Sequence, residues 1–139
     1  MTNKLAIIGG SGLYDVEEFK DRELLDINTP WGKPSDQILK TKFKEKDVFA
    51  LTVNGDSMID ANIADGDTVL IEPVKDQYSI RNGTIVSALV PGAGTTLKYF
   101  HRKGSEVVLE AANPNYDPLV ISFDQVVVQG KLIAIWRKI

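Results

Sequence analysis

From Val48 to Trp136 the sequence is cut into short runs of branched and aromatic residues, with turn signals at roughly ten-residue intervals. The runs are Val48–Val53, Thr68–Ile71, Thr84–Val90, Thr95–Phe100, Val107–Leu109, Leu119–Ile121 and Val126–Trp136. Between them lie Asp65-Gly66-Asp67, Arg81-Asn82-Gly83, Pro91-Gly92-Ala93-Gly94, Arg102-Lys103-Gly104 and Pro114-Asn115-Tyr116. Runs this short cannot supply the long apolar stripe of a packed helix, so the pattern predicts a mostly-β fold. One short helix is expected over Ser57–Ile63, capped by Asp56 or Ser57. Upstream, strands are expected at Leu5–Ile8, Arg22–Ile27 and Gln37–Phe43, and Lys40 to Val53 reads as continuous strand-forming sequence.

Composition narrows the chemistry. With no cysteine there is no disulfide scaffold, thiolate metal site or cysteine nucleophile, and His101 as the one histidine nearly closes the Ser-His-Asp option. No metal site and no cofactor are expected. Asp65 and Asp67 lack the further acids of a metal loop and read as a turn. Net charge is −3, with residues 1–46 balanced at eight basic and eight acidic side chains. That balance offers no basic field for nucleic acid, so no direct DNA binding is expected. No apolar run approaches the roughly 20 residues that cross a bilayer, and the start is too short for a signal peptide. A cytoplasmic chain without membrane attachment is the expectation. Lys40, Lys42 and Lys44 alternate with Leu39, Thr41 and Phe43, which reads as a solvated strand face that discourages edge pairing.

The most chemically pointed stretch is Val53-Asn54-Gly55-Asp56-Ser57-Met58-Ile59-Asp60. A strand enters a glycine turn and delivers a serine where backbone N–H groups have no helical acceptor, a place suited to holding an oxyanion. A serine needs a base to attack a carbonyl, and lysine serves when desolvation lowers its pKa. Lys98, opposite in face to Leu97 and Tyr99, is the candidate. A serine after Gly-Asp also reads as an N-cap, and a strand lysine as a solvated one. Spacing alone leaves these readings open.

Residues 48–139 resemble the C-terminal domain of LexA-type repressors and UmuD-like proteins, the S24 self-cleaving serine peptidases. The resemblance is carried by Phe49–Asp60, Ile63-Ala64-Asp65-Gly66-Asp67, Arg81–Val86, Leu97-Lys98-Tyr99-Phe100, Ala111–Tyr116 and Val128–Ile133. It implies a LexA-like β fold in which Ser57 is the nucleophile, Lys98 the general base, and the Asp56 and Ser57 N–H groups the oxyanion hole. It also implies a homodimer through the C-terminal strands, here Val126–Trp136, and brings autocleavage and an SOS-type response as family properties. Two family features are missing. Residues 1–46 contain no winged helix-turn-helix, and no Ala-Gly or Cys-Gly precedes Ser57. The one Ala-Gly, Ala93-Gly94, reads as a hairpin loop. A peptide substrate would therefore be met in trans.

Residues 4–39 resemble the start of methylthioadenosine phosphorylase, through Ile7–Asp15 and Asn28–Asp36. That resemblance implies phosphate binding by the turn Gly9, Gly10, Ser11, Gly12, although the large α/β domain needed for phosphorolysis is missing. The chain then divides into a phosphorylase-like fragment, 1–46, which adds strands, and a peptidase domain, 47–139. A join near Lys44–Val48 suggests recombination, an engineered chimera or an artificial join of two gene fragments. Three functions follow for testing: a latent Ser-Lys peptidase, a non-catalytic dimerisation module with a relic dyad, and a phosphate- or purine-nucleoside-binding protein.

Overall fold

The computed structural model describes residues 7–8, 19–25, 38–43 and 46–137, with side chains from Asp47 onward. The fold is mostly β, as the run-and-turn pattern requires. Its strands are β1 (Ile7–Ile8), β2 (Phe19–Leu25), β3 (Ile38–Phe43), β4 (Lys46–Thr52), β5 (Thr68–Pro73), β6 (Thr84–Val90), β7 (Gly94–Lys103), β8 (Glu106–Glu110), β9 (Leu119–Ser122) and β10 (Val127–Trp136). The runs read from sequence reappear with their ends moved by a few residues. The chain forms two compact units, one of Met1–Val53, Gly66–Glu72 and Ile133–Ile139, the other of Asn54–Asp65 and Pro73–Leu132.

In the first unit β4 pairs antiparallel with β5, from Phe49 opposite Ile71 to Thr52 opposite Thr68. It also pairs antiparallel with β3 and parallel with β1. The continuous strand expected from Lys40 to Val53 is instead a reversal, with Phe43 opposite Lys46. The sequence carries no signal for this reversal, since no Gly, Pro, Asn, Asp or Ser stands between Phe43 and Lys46. β3 also pairs with β2, so the strand carrying the lysine alternation is flanked on both sides and is not an edge. Val48, Ala50, Val69, Leu70 and Ile71 are buried in this unit. Asp67, 1% exposed, accepts two bonds from Arg137, Nε at 2.6 Å and Nη2 at 2.7 Å. This geometry compensates a charge that burial would otherwise penalise heavily.

The second unit is an antiparallel meander in the order β6, β7, β8, β9, with the start of β10 against the free side of β6. β6 and β7 form a hairpin from Thr84 opposite Phe100 to Val90 opposite Gly94, closed by Ala93 N–H donating to the Val90 carbonyl at 3.1 Å. Ala93-Gly94 is thus a hairpin tip, as read from sequence. Alternation puts one face of each strand inside. Val86, Ala88, Val90, Phe100, Val107, Leu109, Phe123, Val126 and Val128 make one core. Along β7 the buried face carries both Lys98 and Phe100, so a lysine shares the inward row with the core's phenylalanine.

Phe100 is 0% exposed. Phe100→Ala is expected to cost about 3–5 kcal/mol, as truncating a buried aromatic usually does. Val120→Ala, 61% exposed on β9, should stay within about 0.5 kcal/mol. Urea unfolding of the two variants against the parent checks the contrast.

Candidate functional site

The loop after β4 sets the serine. Gly55 has φ +96°, a region that L side chains rarely adopt, and a Cβ there would meet nothing within 4 Å. The position therefore needs glycine for backbone conformation, not for space. Its N–H donates to Asp65 Oδ1 at 2.6 Å, so the acidic turn read as Asp65-Gly66-Asp67 fastens the serine loop. Asp65 and Asp67 do different work, one holding Gly55 and the other holding Arg137. Among the described residues no group of three or more His, Asp or Glu is gathered to hold a metal.

The helix expected over Ser57–Ile63 is only a 3-10 turn, Ile59–Ala61, that begins after Met58 with no side-chain cap. Both expected caps are engaged elsewhere. Asp56 Oδ1 accepts from the Tyr116 hydroxyl at 2.6 Å, and Ser57 Oγ accepts from Lys98 Nζ at 2.9 Å. The bond to Asp56, then the charge of its carboxylate, hold the exposed Tyr116 hydroxyl above its ordinary pKa.

Ser57 and Lys98, paired on chemical grounds in the sequence, are therefore in direct contact across 41 residues. Ser57 is half-buried, whereas Lys98 is only 8% exposed. Its amine also donates to Thr96 Oγ1 at 2.8 Å and to the Leu97 carbonyl at 3.0 Å. An ammonium has three protons, and here each finds an oxygen. Removal from water nevertheless lowers the Lys98 pKa from its ordinary value, because burial penalises the charged form. Proton transfer from the hydroxyl to the amine needs no movement of heavy atoms at this distance.

A second loop closes over the serine turn. Asn113, 8% exposed, donates from Nδ2 to the Asp56 carbonyl at 3.0 Å. Asp60 N–H donates to the Ala112 carbonyl at 2.8 Å. Ala112 N–H lies 3.4 Å from the Met58 sulfur, whose side chain is buried. Among the described residues, neither the Asp56 nor the Ser57 N–H donates to a protein acceptor. Thr96 was within reach of sequence reasoning, since it sits two residues before Lys98 on the same strand face. Asn113 was not, because nothing local announces a contact 57 residues away. His101 Nε2 lies 3.4 Å from Glu110 Oε2, on the neighbouring strand β8. Gly9, Gly10, Ser11 and Gly12 lie outside the described residues.

A family model described as Peptidase S24-like matches residues 6–133. The match takes in most of the segment compared above with the phosphorylase start, and it gives that comparison no support.

The depressed lysine makes stability depend on pH with a fixed sign. Below the lowered pKa both folded and unfolded chains hold the proton, and the cost of burying the charge is present in full. As pH rises through that pKa towards the ordinary 10.5, the unfolded chain holds the extra proton, so folding stability increases. Lys98→Met removes the linkage. The urea midpoint of the parent should rise relative to that of Lys98→Met across this window, and a constant difference would show an unperturbed amine.

Proposed function

The chain belongs to the S24-like peptidase family, and from that premise we propose that it is a serine peptidase of the LexA/UmuD-like kind working through a Ser57–Lys98 dyad. The observation that carries this reading is the 2.9 Å contact between a buried lysine amine and a serine hydroxyl in a glycine-shaped turn. The neutral amine of Lys98 takes the proton of Ser57 Oγ as the oxygen attacks a peptide carbonyl carbon. The carbonyl oxygen gains the negative charge and is held by the Asp56 and Ser57 N–H groups. When the C–N bond breaks, the Lys98 ammonium gives its proton to the leaving amine. Water then attacks the acyl-serine, with Lys98 accepting a proton from water and returning one to Ser57 Oγ. The cycle balances with water alone, and the residues named suffice for acyl transfer.

Residues 1–56 contain no Ala-Gly or Cys-Gly, so a peptide supplied in trans is the substrate to test. The non-catalytic module is the alternative that a silent dyad would favour. Incubation at about pH 9, where a lysine base is increasingly neutral, with a peptide of the LexA-like cleavage segment separates them. Parent protein should cut the peptide faster as pH rises, and Ser57→Ala should not cut it. Lys98→Ala should lose about 10²-fold or more, the usual contribution of a general base. An intact peptide with the parent protein would remove the catalytic reading.

The homodimer through the C-terminal strands is part of the proposal. Supporting it, β10 leaves Val127 52% and Ile135 41% exposed, apolar side chains that pay to stay in water. Sedimentation velocity should find a dimer for the parent and a shift to monomer for Val127→Glu with Ile135→Glu. A parent that sediments as monomer would overturn this part.

A further inference from the structure

We propose that Asn113 is a positioning residue that aims the Ser57 N–H at the developing oxyanion, acting through the carbonyl of Asp56. The inference rests on the serine-peptidase reading and adds a residue to it. The Asp56 carbonyl and the Ser57 N–H belong to one peptide unit, and among the described residues every peptide is trans, so the two groups point in opposite directions. Whatever grips the carbonyl fixes where the N–H points. Asn113 Nδ2 grips it at 3.0 Å, beside the Ile59 N–H, which donates to the same carbonyl at 3.2 Å from within the serine turn itself.

The asparagine is itself held in one orientation. Its Oδ1 accepts from Asn115 N–H at 2.9 Å, which turns Nδ2 towards Asp56, and its backbone carbonyl accepts from Tyr116 N–H at 3.2 Å. At 8% exposure it has little water to exchange partners with. Asp65 holds the Gly55 N–H at 2.6 Å, and the Tyr116 hydroxyl holds the Asp56 carboxylate at 2.6 Å. The peptide before the serine is therefore anchored on both sides, and among the described residues the Asp56 and Ser57 N–H groups, like those of Asn54 and Met58, donate to no protein acceptor. A donor set fixed before the reaction stabilises charge without reorganising when the charge appears.

The test is acylation by a fluorophosphonate, a small electrophile that places a tetrahedral oxygen at the oxyanion position, followed by intact mass from about pH 6 to about pH 10. Asn113→Asp keeps the shape and replaces the donor by an acceptor. Its limiting rate per folded molecule should fall at least about tenfold while the pH midpoint stays at the parent value. A rate within about twofold of the parent overturns the proposal. So does a fall that comes with a moved midpoint, since Asn113 would then be acting on Lys98. A second measurement needs no variant: in the parent, the Ser57 amide proton should move downfield in the phosphonylated protein, and an unmoved resonance overturns the proposal while leaving the dyad intact. Parent and Ser57→Ala equally unreactive would overturn the dyad reading and this inference with it.

Discussion

Burying an amine in a sheet sets two demands against each other. Desolvation penalises the charged form of Lys98, while oxygens close enough to hold the amine in place favour it. β7 meets both by putting Lys98 on the inward row beside Phe100 and giving it Thr96, Leu97 and Ser57 as partners. The ammonium uses all three. The neutral amine needs only two acceptors, so Thr96 and Leu97 can keep it seated while its lone pair faces Ser57. One arrangement of heavy atoms thus serves both protonation states.

Fixing the serine is the task of loops remote from one another in sequence. Gly55 supplies a conformation, Asp65 an acceptor for its N–H, Asn113 a donor for the next carbonyl, and Tyr116 a partner for the Asp56 carboxylate. These are neutral or charge-assisted bonds around a backbone turn, with Met58 buried beneath as a flexible apolar filler. A turn braced this way gives up conformational freedom on folding, not at the moment of reaction.

How much of this could be read beforehand depended on the range of the signal. β-branched runs such as Thr84–Val90 announce themselves locally, and the strand they predicted is the strand found. Ser57 and Lys98 were legible for a different reason: the lack of cysteine and the single histidine left a lysine base as an open option, and the S24 resemblance, not the spacing, assigned the pair its roles. The β3–β4 reversal was hidden because Lys44-Glu45 lacks turn residues. The helix after Ser57 was overestimated because cap chemistry was credited to Asp56 and Ser57, whose side chains bind Tyr116 and Lys98 instead. Asn113 sat in an Asn-Pro turn that looked ordinary, and only tertiary contact gives it a role.

The β6–β7 hairpin also decides how the Ala93-Gly94 bond can meet a nucleophile. Gly94 lies four residues before Lys98, about 13 Å along an extended strand. Bringing the tip back to Ser57 within one molecule would unzip the pairs from Val90–Gly94 to Val86–Lys98 and pull the base away with the bond it should help to break. A Ser57 attacking that bond must find it on another copy of the chain. Scission between free copies would quicken as the protein is concentrated, whereas scission across an assembled dimer would ignore dilution until the two copies came apart.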